Sequence, residues 1–329
     1  MIDVIYERGG KWQGVLKHWE LDVSVGEDDD FELRMPVDAA TAVDSTLAPA
    51  YGDRVFVPGT EFGGIVDAIA VDTEADEIAF TGRTWRGILS NKVIKPDTGQ
   101  DYLTVSGSLE ECMRRVIARA GLNSVFEVSG ASGVAVKSYK FARYVTVTEG
   151  LSALLETHGM CLGIEKAKGK CRLSAVPKAT YSKGIDDNFV DYAMSKNVRP
   201  VNHLVCLGKG ELKDRVVVHL YADASGNVSG SQTFTGADEV EAVYDSNGQA
   251  ADDLRKAGIE KLKEYQDEAV AVELAPPEGV EPVIGDVVEA SSVTVGLTAS
   301  GKVCRIVLKA KYGDATPSMD YSVNTVKLR

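Results

Sequence analysis

Between residues 2 and 84 the sequence is a run of short segments in which apolar and polar residues alternate, parted by turns rich in Gly and Asp. IDVIYE leads into the turn RGGK and WQGVLKHWELDVSV into GEDDD; FELRMPV, DRVFVPG, EFGGIVDAIAVD and EIAFTGRTW follow. In Phe31-Glu32-Leu33-Arg34-Met35 the apolar side chains recur at every second position, the period of a strand with one buried face. So many short strands at close spacing point the first hundred residues toward a β-barrel or sandwich.

The middle of the chain changes period. Ser108 stands as an N-cap with Glu111 three residues on, a capping box. Leu109, Met113, Val116, Ile117 and Ala120 then follow at helical spacing, and Gly121 supplies the stop. A second helix is expected from Thr148, with Leu151, Leu154, Leu155 and His158 on one face before Gly159. MCLGIEKAKGKCRLSAV reads as a hairpin with its tip near Ala167–Gly169. Strands resume near Arg199, and a third helix is expected over Gln249–Gln266 with a stripe of Leu254, Gly258, Leu262 and Tyr265. The last strands run from Glu281 to the end. The fold class expected is α+β, mainly β: residues 1–98 as one barrel-like domain, 99–198 as an α+β domain, and 199–329 as a second barrel-like domain with an inserted helix.

At 329 residues each domain has room for its own core. No apolar run approaches the length of a bilayer span, and the N-terminus lacks the pattern of a secretory signal, so assembly in the cytoplasm is the expectation. Five scattered cysteines without a Cys-x-x-Cys read as reduced core residues. Charge is uneven: 19 acids against 9 bases in 1–100, 10 against 14 in 101–200, and 20 against 13 in 201–329. Nucleic-acid affinity draws on Lys and Arg neutralising phosphates, so the acidic outer thirds are poor nucleic-acid binders.

The motifs that resemble chemical sites each have a plainer reading. GIEKAKGKC (163–171) approximates a phosphate loop, but its spacing is one residue too long and Cys171 stands where a Ser or Thr would hold magnesium. A hairpin tip with solvated lysines is favoured. LGKGEL (207–212) is a lone Gly-x-Gly between strands, favouring a β-turn. EDDD (27–30) lacks the alternating ligands of a calcium loop and reads as solvated loop; DSNG (245–248) reads as a turn and cap. His18, His158, His203 and His219 are far apart in sequence, with no His-Glu-x-x-His and no paired ligands. The expectation is a protein that is not an enzyme, with no catalytic, cofactor-binding or metal-ligating residues and no cofactor.

TGRTWRGILSNKVIKP (81–96) has the arginines of a phosphate grip, yet it ends a strand in an acidic region. Its setting gives another reading. Phe31-Glu32-Leu33, Pro36, Gly64-Ile65-Val66, Gly82-Arg83, Ile88-Leu89, Val93-Ile94 and Pro96 follow one another in an order that resembles the N-terminal domain of phage tail-tip and baseplate hub proteins. Lys92 departs from the Arg usual in that family. VNHLVCLGKGE (201–211), Gly285-Asp286 and Tyr321 continue the resemblance to the end of the chain, although Val283-Ile284 replaces more polar residues. On this reading Gly82 ends the strand in a tight turn. Trp85, Ile88 and Leu89 then plug a barrel end, and Arg83 and Arg86 serve as ion-pair or interface residues.

The resemblance implies a structural protein of a phage or prophage virion tail, assembled in the host cytoplasm. It would form a homotrimeric ring between the tail tube, with its distal tail proteins, and the fibre or tip proteins, with DNA passing through unbound. The chain ends directly after the closing module, so the hub alone is expected. The acidic outer thirds would face the lumen and the basic middle third the periphery. A trimer meets a six-fold tube only by offering two similar docking surfaces, so residues 1–98 and the strands of 199–329 are expected to be two copies of one β-fold about 60° apart. Two other classes stay open: a carbohydrate- or receptor-binding β module, which would want clustered exposed aromatics where only three Trp exist, and a cell-wall hydrolase.

Overall fold

Phe31, Leu33 and Met35 are buried while Asp30, Arg34 and Pro36 are exposed, so the alternation seen in the sequence does build a strand with one inner face. The computed structural model describes residues 2–37, 48–182, 192–196, 200–267, 270–274, 280–292, 297–314 and 317–328. Seven strands come from the first 84 residues: β1 (Ile5–Arg8), β2 (Lys11–Val15), β3 (Glu20–Val25), β4 (Asp30–Pro36), β5 (Arg54–Phe56), β6 (Gly63–Asp72) and β7 (Glu77–Thr84). They lie in the order β3-β4-β7-β6-β5-β1-β2, with antiparallel neighbours throughout.

Helix α1 (Trp85–Ser90) follows β7 directly. Then come β8 (Thr104–Ser108), α2 (Leu109–Arg119), β9 (Phe126–Val128), β10 (Ala135–Lys140), α3 (Val147–Glu156), β11 (Met160–Glu165), β12 (Cys171–Pro177) and β13 (Thr180–Ser182). Ser108 and Glu111 form the expected capping box on α2. Helix α3 begins at Val147, one residue before the expected start, because Thr146 and Glu149 form a second capping box there. Trp85, Ile88 and Leu89 of α1 join one apolar core with Met113 and Val116 of α2 and Leu151, Leu154 and Leu155 of α3.

The remaining elements are β14 (Tyr192–Lys196), β15 (His203–Leu207), β16 (Val217–Ala222), β17 (Val228–Ser229), β18 (Glu241–Asp245), α4 (Ala251–Asp267), β19 (Val270–Leu274), β20 (Val287–Ser292), β21 (Leu297–Lys311) and β22 (Ser318–Leu328). They do not form one domain. The chain divides into two compact units, the larger holding Met1–Asp191, Leu274–Ala290 and Ala299–Leu328, the smaller Tyr192–Glu273 and Ser291–Thr298.

Within the larger unit, the C-terminal half of β21 pairs antiparallel with β3, so the last strands extend the first sheet in the order β13-β20-β21-β3. The pairing is selective. Ile306, Leu308 and Ala310 oppose Val25, Val23 and Leu21 on the buried face, while Lys309 and Lys311 oppose Asp22 and Glu20 on the other. The expected second barrel over 199–329 is thereby corrected: residues 287–290, 299–311 and 318–328 complete the N-terminal sheet, and 203–267 belong to the smaller unit. The expected boundary at 198/199 lies outside the described residues. No strand pairing closes the eleven-stranded sheet among the described residues, so barrel closure is not seen. The two sheet regions differ in make-up, since β13 and β20 run parallel whereas neighbours among β1–β7 are antiparallel. Among the described residues β20, β21 and β22 join the first sheet and form no separate sheet of their own, so the duplication expected for six-fold docking is not seen there.

In the smaller unit four strands lie in the order β17-β16-β15-β18, with β15 and β18 parallel. Helix α4 covers one face of this sheet: Leu254 and Leu262 pack with Leu204, Cys206 and Leu220. Gly258 lets the helix sit close, because a Cβ there would lie 2.5 Å from Cys206 Sγ and 2.7 Å from Leu220 Cδ1. The helix begins two residues after the expected start.

Candidate functional site

The 81–96 segment has no free grip. Arg83 donates through Nε to Asp67 Oδ2 at 2.7 Å and through Nη2 to Asp67 Oδ1 at 2.8 Å, a two-pronged pair on the surface. That guanidinium holds the Asp67 carboxyl below the usual carboxylate range. Arg86 is buried; its Nε donates to Glu61 Oε2 at 2.8 Å and its Nη2 to the Leu162 carbonyl at 2.9 Å. The expected ion-pair role holds for both arginines.

Two details of the expectation change. Gly82 lies inside β7, paired with Phe31 and Val66, and makes no turn. Glycine is needed there because a Cβ would lie 1.9 Å from the Ile65 carbonyl oxygen, beside a bulge at Asp67 in β6. Helix α1, capped by the Thr84 side chain accepting from the Gly87 N–H, is packed between the sheet and α3. Among the described residues there is no closed barrel for it to plug.

The acidic loop at 27–30 is only partly solvated. Asp29 is buried and accepts from the Gly26 N–H at 2.8 Å and from Ser90 Oγ–H at 3.1 Å, and Ser90 Oγ lies 2.9 Å from Thr148 Oγ1. Burial pushes the Asp29 carboxyl up, against the pull of those hydrogen bonds. Beside it opens a cavity of about 860 Å³ lined by Asp22, Asp28, Asp30, Glu32 and Asp67, with Arg83 and Arg305 on its walls. Asp22 and Glu32 face each other directly across β3 and β4, a like-charge pair that Lys309 offsets from the neighbouring strand.

The phosphate-loop likeness at 163–171 dissolves differently from the expectation. Lys166 is not solvated: its ammonium is fully buried, 2.9 Å from Glu7 Oε2 and 4.0 Å from the centre of the Phe56 ring. Burial lowers its pKa and Glu7 opposes that shift. Backbone bonds between Thr60 and Lys166 dock the tip onto the segment after β5. Cys171 opens strand β12, buried, where a phosphate loop would open a helix.

The histidines supply the feature that sequence spacing concealed. The β15–β16 register pairs His203 with Tyr221 and Val205 with His219, so both rings emerge on the sheet face opposite α4. His203 Nε2 lies 2.8 Å from His219 Nδ1, and the His203 ring stacks on Tyr221 at 4.3 Å. On its other side His203 Nδ1 lies 2.8 Å from Glu239 Oε1 and 2.9 Å from Glu241 Oε1. Glu241 reaches this place because β18 runs parallel beside β15 with His203 opposite Glu241. Gln232 Nε2 also donates to Glu239 Oε1 at 2.7 Å. The expectation that no histidines pair is corrected. A parity count finds them, since His203, Val205, His219 and Tyr221 occupy alternate positions in two arms of one hairpin.

No protein-family model matches the chain, and no curated protein matches it either. Among solved structures, a tail protein from Neisseria meningitidis MC58 aligns at 14% identity and a TM-score of 0.44, over 98% of this chain and 96% of its own. The 43 kDa tail protein of prophage MuSo2 from Shewanella oneidensis aligns at 15% identity and a TM-score of 0.46, over 98% of both chains. Prophage tail protein gp18 from Listeria monocytogenes EGD-e gives 13% identity and 0.48, over 98% of this chain and 94% of its own. At these values the likenesses are to overall chain course, and no residue's role is carried over from them.

Proposed function

We propose that this chain is a structural component of a phage or prophage tail, a hub that joins the tail tube to the distal tip. One observation carries the reading: the ordered motifs of the sequence resemblance occupy neighbouring, mutually packed elements. Phe31-Glu32-Leu33 lies in β4, Gly64-Ile65-Val66 in β6, Gly82-Arg83 in β7 and Ile88-Leu89 in α1, and β4, β7 and β6 are adjacent strands. The three solved structures described above are tail proteins by their descriptions; they stand beside the reading and do not carry it. Trp19 and Trp85 are buried, which leaves Trp12 as the one exposed tryptophan and weakens the receptor-binding alternative.

The finer statement is a homotrimeric ring around a DNA exit channel. It rests on the resemblance, since among the described residues no two-fold repetition supports it. The acids around the β3–β4 cavity would suit a lumen that repels passing DNA. Removing the coding sequence from the phage or prophage tests the coarse reading: particles without finished tails are expected, and normal infectious particles overturn it. Sedimentation over a range of concentrations tests the trimer, and a chain that remains monomeric at high concentration removes that refinement.

A further inference from the structure

We propose that His203, Glu239 and Glu241 form a binding site for a divalent transition-metal ion of the zinc type, with His219 as the residue that positions the ligand ring. The site lies wholly in the smaller unit and is independent of the tail reading.

The ligand atoms converge. Nδ1 of His203 and one carboxylate oxygen from each glutamate all lie within 4.8 Å of one another, with both oxygens under 3 Å from the nitrogen. Tetrahedral ligands with bonds of about 2.0–2.2 Å stand about 3.3–3.6 Å apart, so the two carboxylate oxygens, now at hydrogen-bond distances of 2.8 and 2.9 Å from Nδ1, need draw back only about 0.5–0.8 Å to admit the ion. Imidazole with two carboxylates is a donor set for zinc and neighbouring first-row ions. Water or a further ligand would complete the coordination on the exposed Glu241 side.

The hydrogen bonds point the same way. His203 Nδ1 carries one proton at most, yet two carboxylates are aimed at it. One proton cannot fully satisfy both; Gln232 Nε2 gives Glu239 a second, neutral donor, so the cluster still holds two negative charges and no cation. A divalent cation at that point neutralises both and leaves the ring its other N–H. With the ion on Nδ1, His203 Nε2–H donates to His219 Nδ1, and His219 carries its own proton on Nε2. Each neutral ring keeps one proton throughout. A ligating histidine usually passes its second nitrogen to a fixed partner in this way. The stack on Tyr221 and the 2.8 Å contact with His219 already fix the ring.

The ion would tie β15 to the start of β18 and the residues just before it, two pieces of chain 36 residues apart. Binding to the folded form alone stabilises the unit by mass action.

The test is zinc titration of chelator-treated full-length protein by calorimetry, with cobalt as a spectroscopic probe. One ion per chain is expected, with a cobalt visible spectrum that lacks thiolate charge-transfer bands. His203→Ala should abolish stoichiometric binding, and Glu239→Gln should weaken it at least tenfold. His219→Ala should weaken it about 10–100-fold, the range for a partner of a ligating ring. Glu241 is exposed, so Glu241→Gln gives a variant whose folding is not in question; it too should weaken binding at least tenfold. Absence of stoichiometric zinc binding overturns the proposal. So does a thiolate band in the cobalt spectrum, or an unchanged affinity in Glu241→Gln.

Discussion

Each unit of the chain gathers polar side chains from distant parts of the sequence, and the two clusters follow opposite rules. In the larger unit Lys166 meets Glu7 with both groups buried, Arg54 stands 3.9 Å from the same carboxylate, and an aromatic face covers the ammonium, so no negative charge is left over. In the smaller unit His203 meets Glu239 and Glu241 on the exposed side of β18, where two carboxylates share the His203 Nδ1 position and the further donor, Gln232, is neutral. The difference is a matter of solvent. A charge taken out of water without a partner costs several kcal/mol, so the buried cluster must balance. A cluster open to water on one side tolerates imbalance, and imbalance is what leaves room for an added ion.

The comparison breaks most visibly at Lys166. Lys166→Ala leaves the buried Glu7 with only the longer contact to Arg54 and should destabilise the larger unit by up to about 3–5 kcal/mol. Replacing both partners, as in Glu7→Leu with Lys166→Met, should recover most of that loss. Denaturant unfolding measures both variants; equal losses in the single and double variants would show that packing, not charge, governs the site.

A smaller effect is expected at Gly258. Gly258→Ala forces a methyl toward Cys206 and Leu220 and should cost about 1–3 kcal/mol by overpacking, less the gain in helix propensity of about 1 kcal/mol. Amide hydrogen exchange should locate the loss within residues 200–267 and leave β3 and β4 protected as before. Loss of protection in both units would contradict their independence.

The surface pair at Arg83 gives a solvated counterpart to Lys166. Asp67→Asn should cost less than about 1 kcal/mol at neutral pH. The Asp67 pKa is depressed in the folded chain, so its contribution is present above the unfolded carboxylate value of about 3.9. It is lost as pH falls through the lower folded value. The stability difference between wild type and Asp67→Asn should therefore shrink below about pH 4; a difference constant down to pH 2 would assign it to packing.

The smallest effect belongs to Glu241. In metal-free protein Glu241→Gln removes one of two crowded acids at an exposed position, and a gain of no more than about 0.5 kcal/mol is expected. A clear loss would mean that both carboxylates are satisfied without an ion.

What the sequence disclosed follows from how far apart the interacting residues stand. The strand of Phe31–Met35 and the capping box of Ser108 and Glu111 are legible because each is written within five residues. Thr146-Val147-Thr148-Glu149 carries the same signature, and reading it fixes the start of α3 that apolar spacing alone misplaces by one residue. Lys166 looked solvated because its neighbours are a turn, while its burial depends on Glu7 and Phe56, more than a hundred residues away. The destination of β21 was concealed for the same reason. Its alternation declares a strand, but only the match of Lys309 and Lys311 to Asp22 and Glu20 shows which edge it joins. The histidine cluster lies between these cases, since hairpin parity unites the two rings while Glu241 arrives by a parallel pairing that no local pattern announces.

The union of β21 with β3 has a consequence for the chain as it is made. Val25 pairs with Ile306, so β3 leaves the ribosome 281 residues before its partner. At about 5–20 residues per second the newborn sheet waits roughly 14–56 s with that flank bare. The flank bears Leu21, Val23 and Val25 on one side, and unpaired strand edges of this kind recruit other chains. Asp22 and Glu20 on the opposite side repel an identical flank from a neighbouring nascent chain, and the lysines that finally neutralise them arrive with β21 itself. The same charges that later hold the strand in place thus guard its vacancy during synthesis.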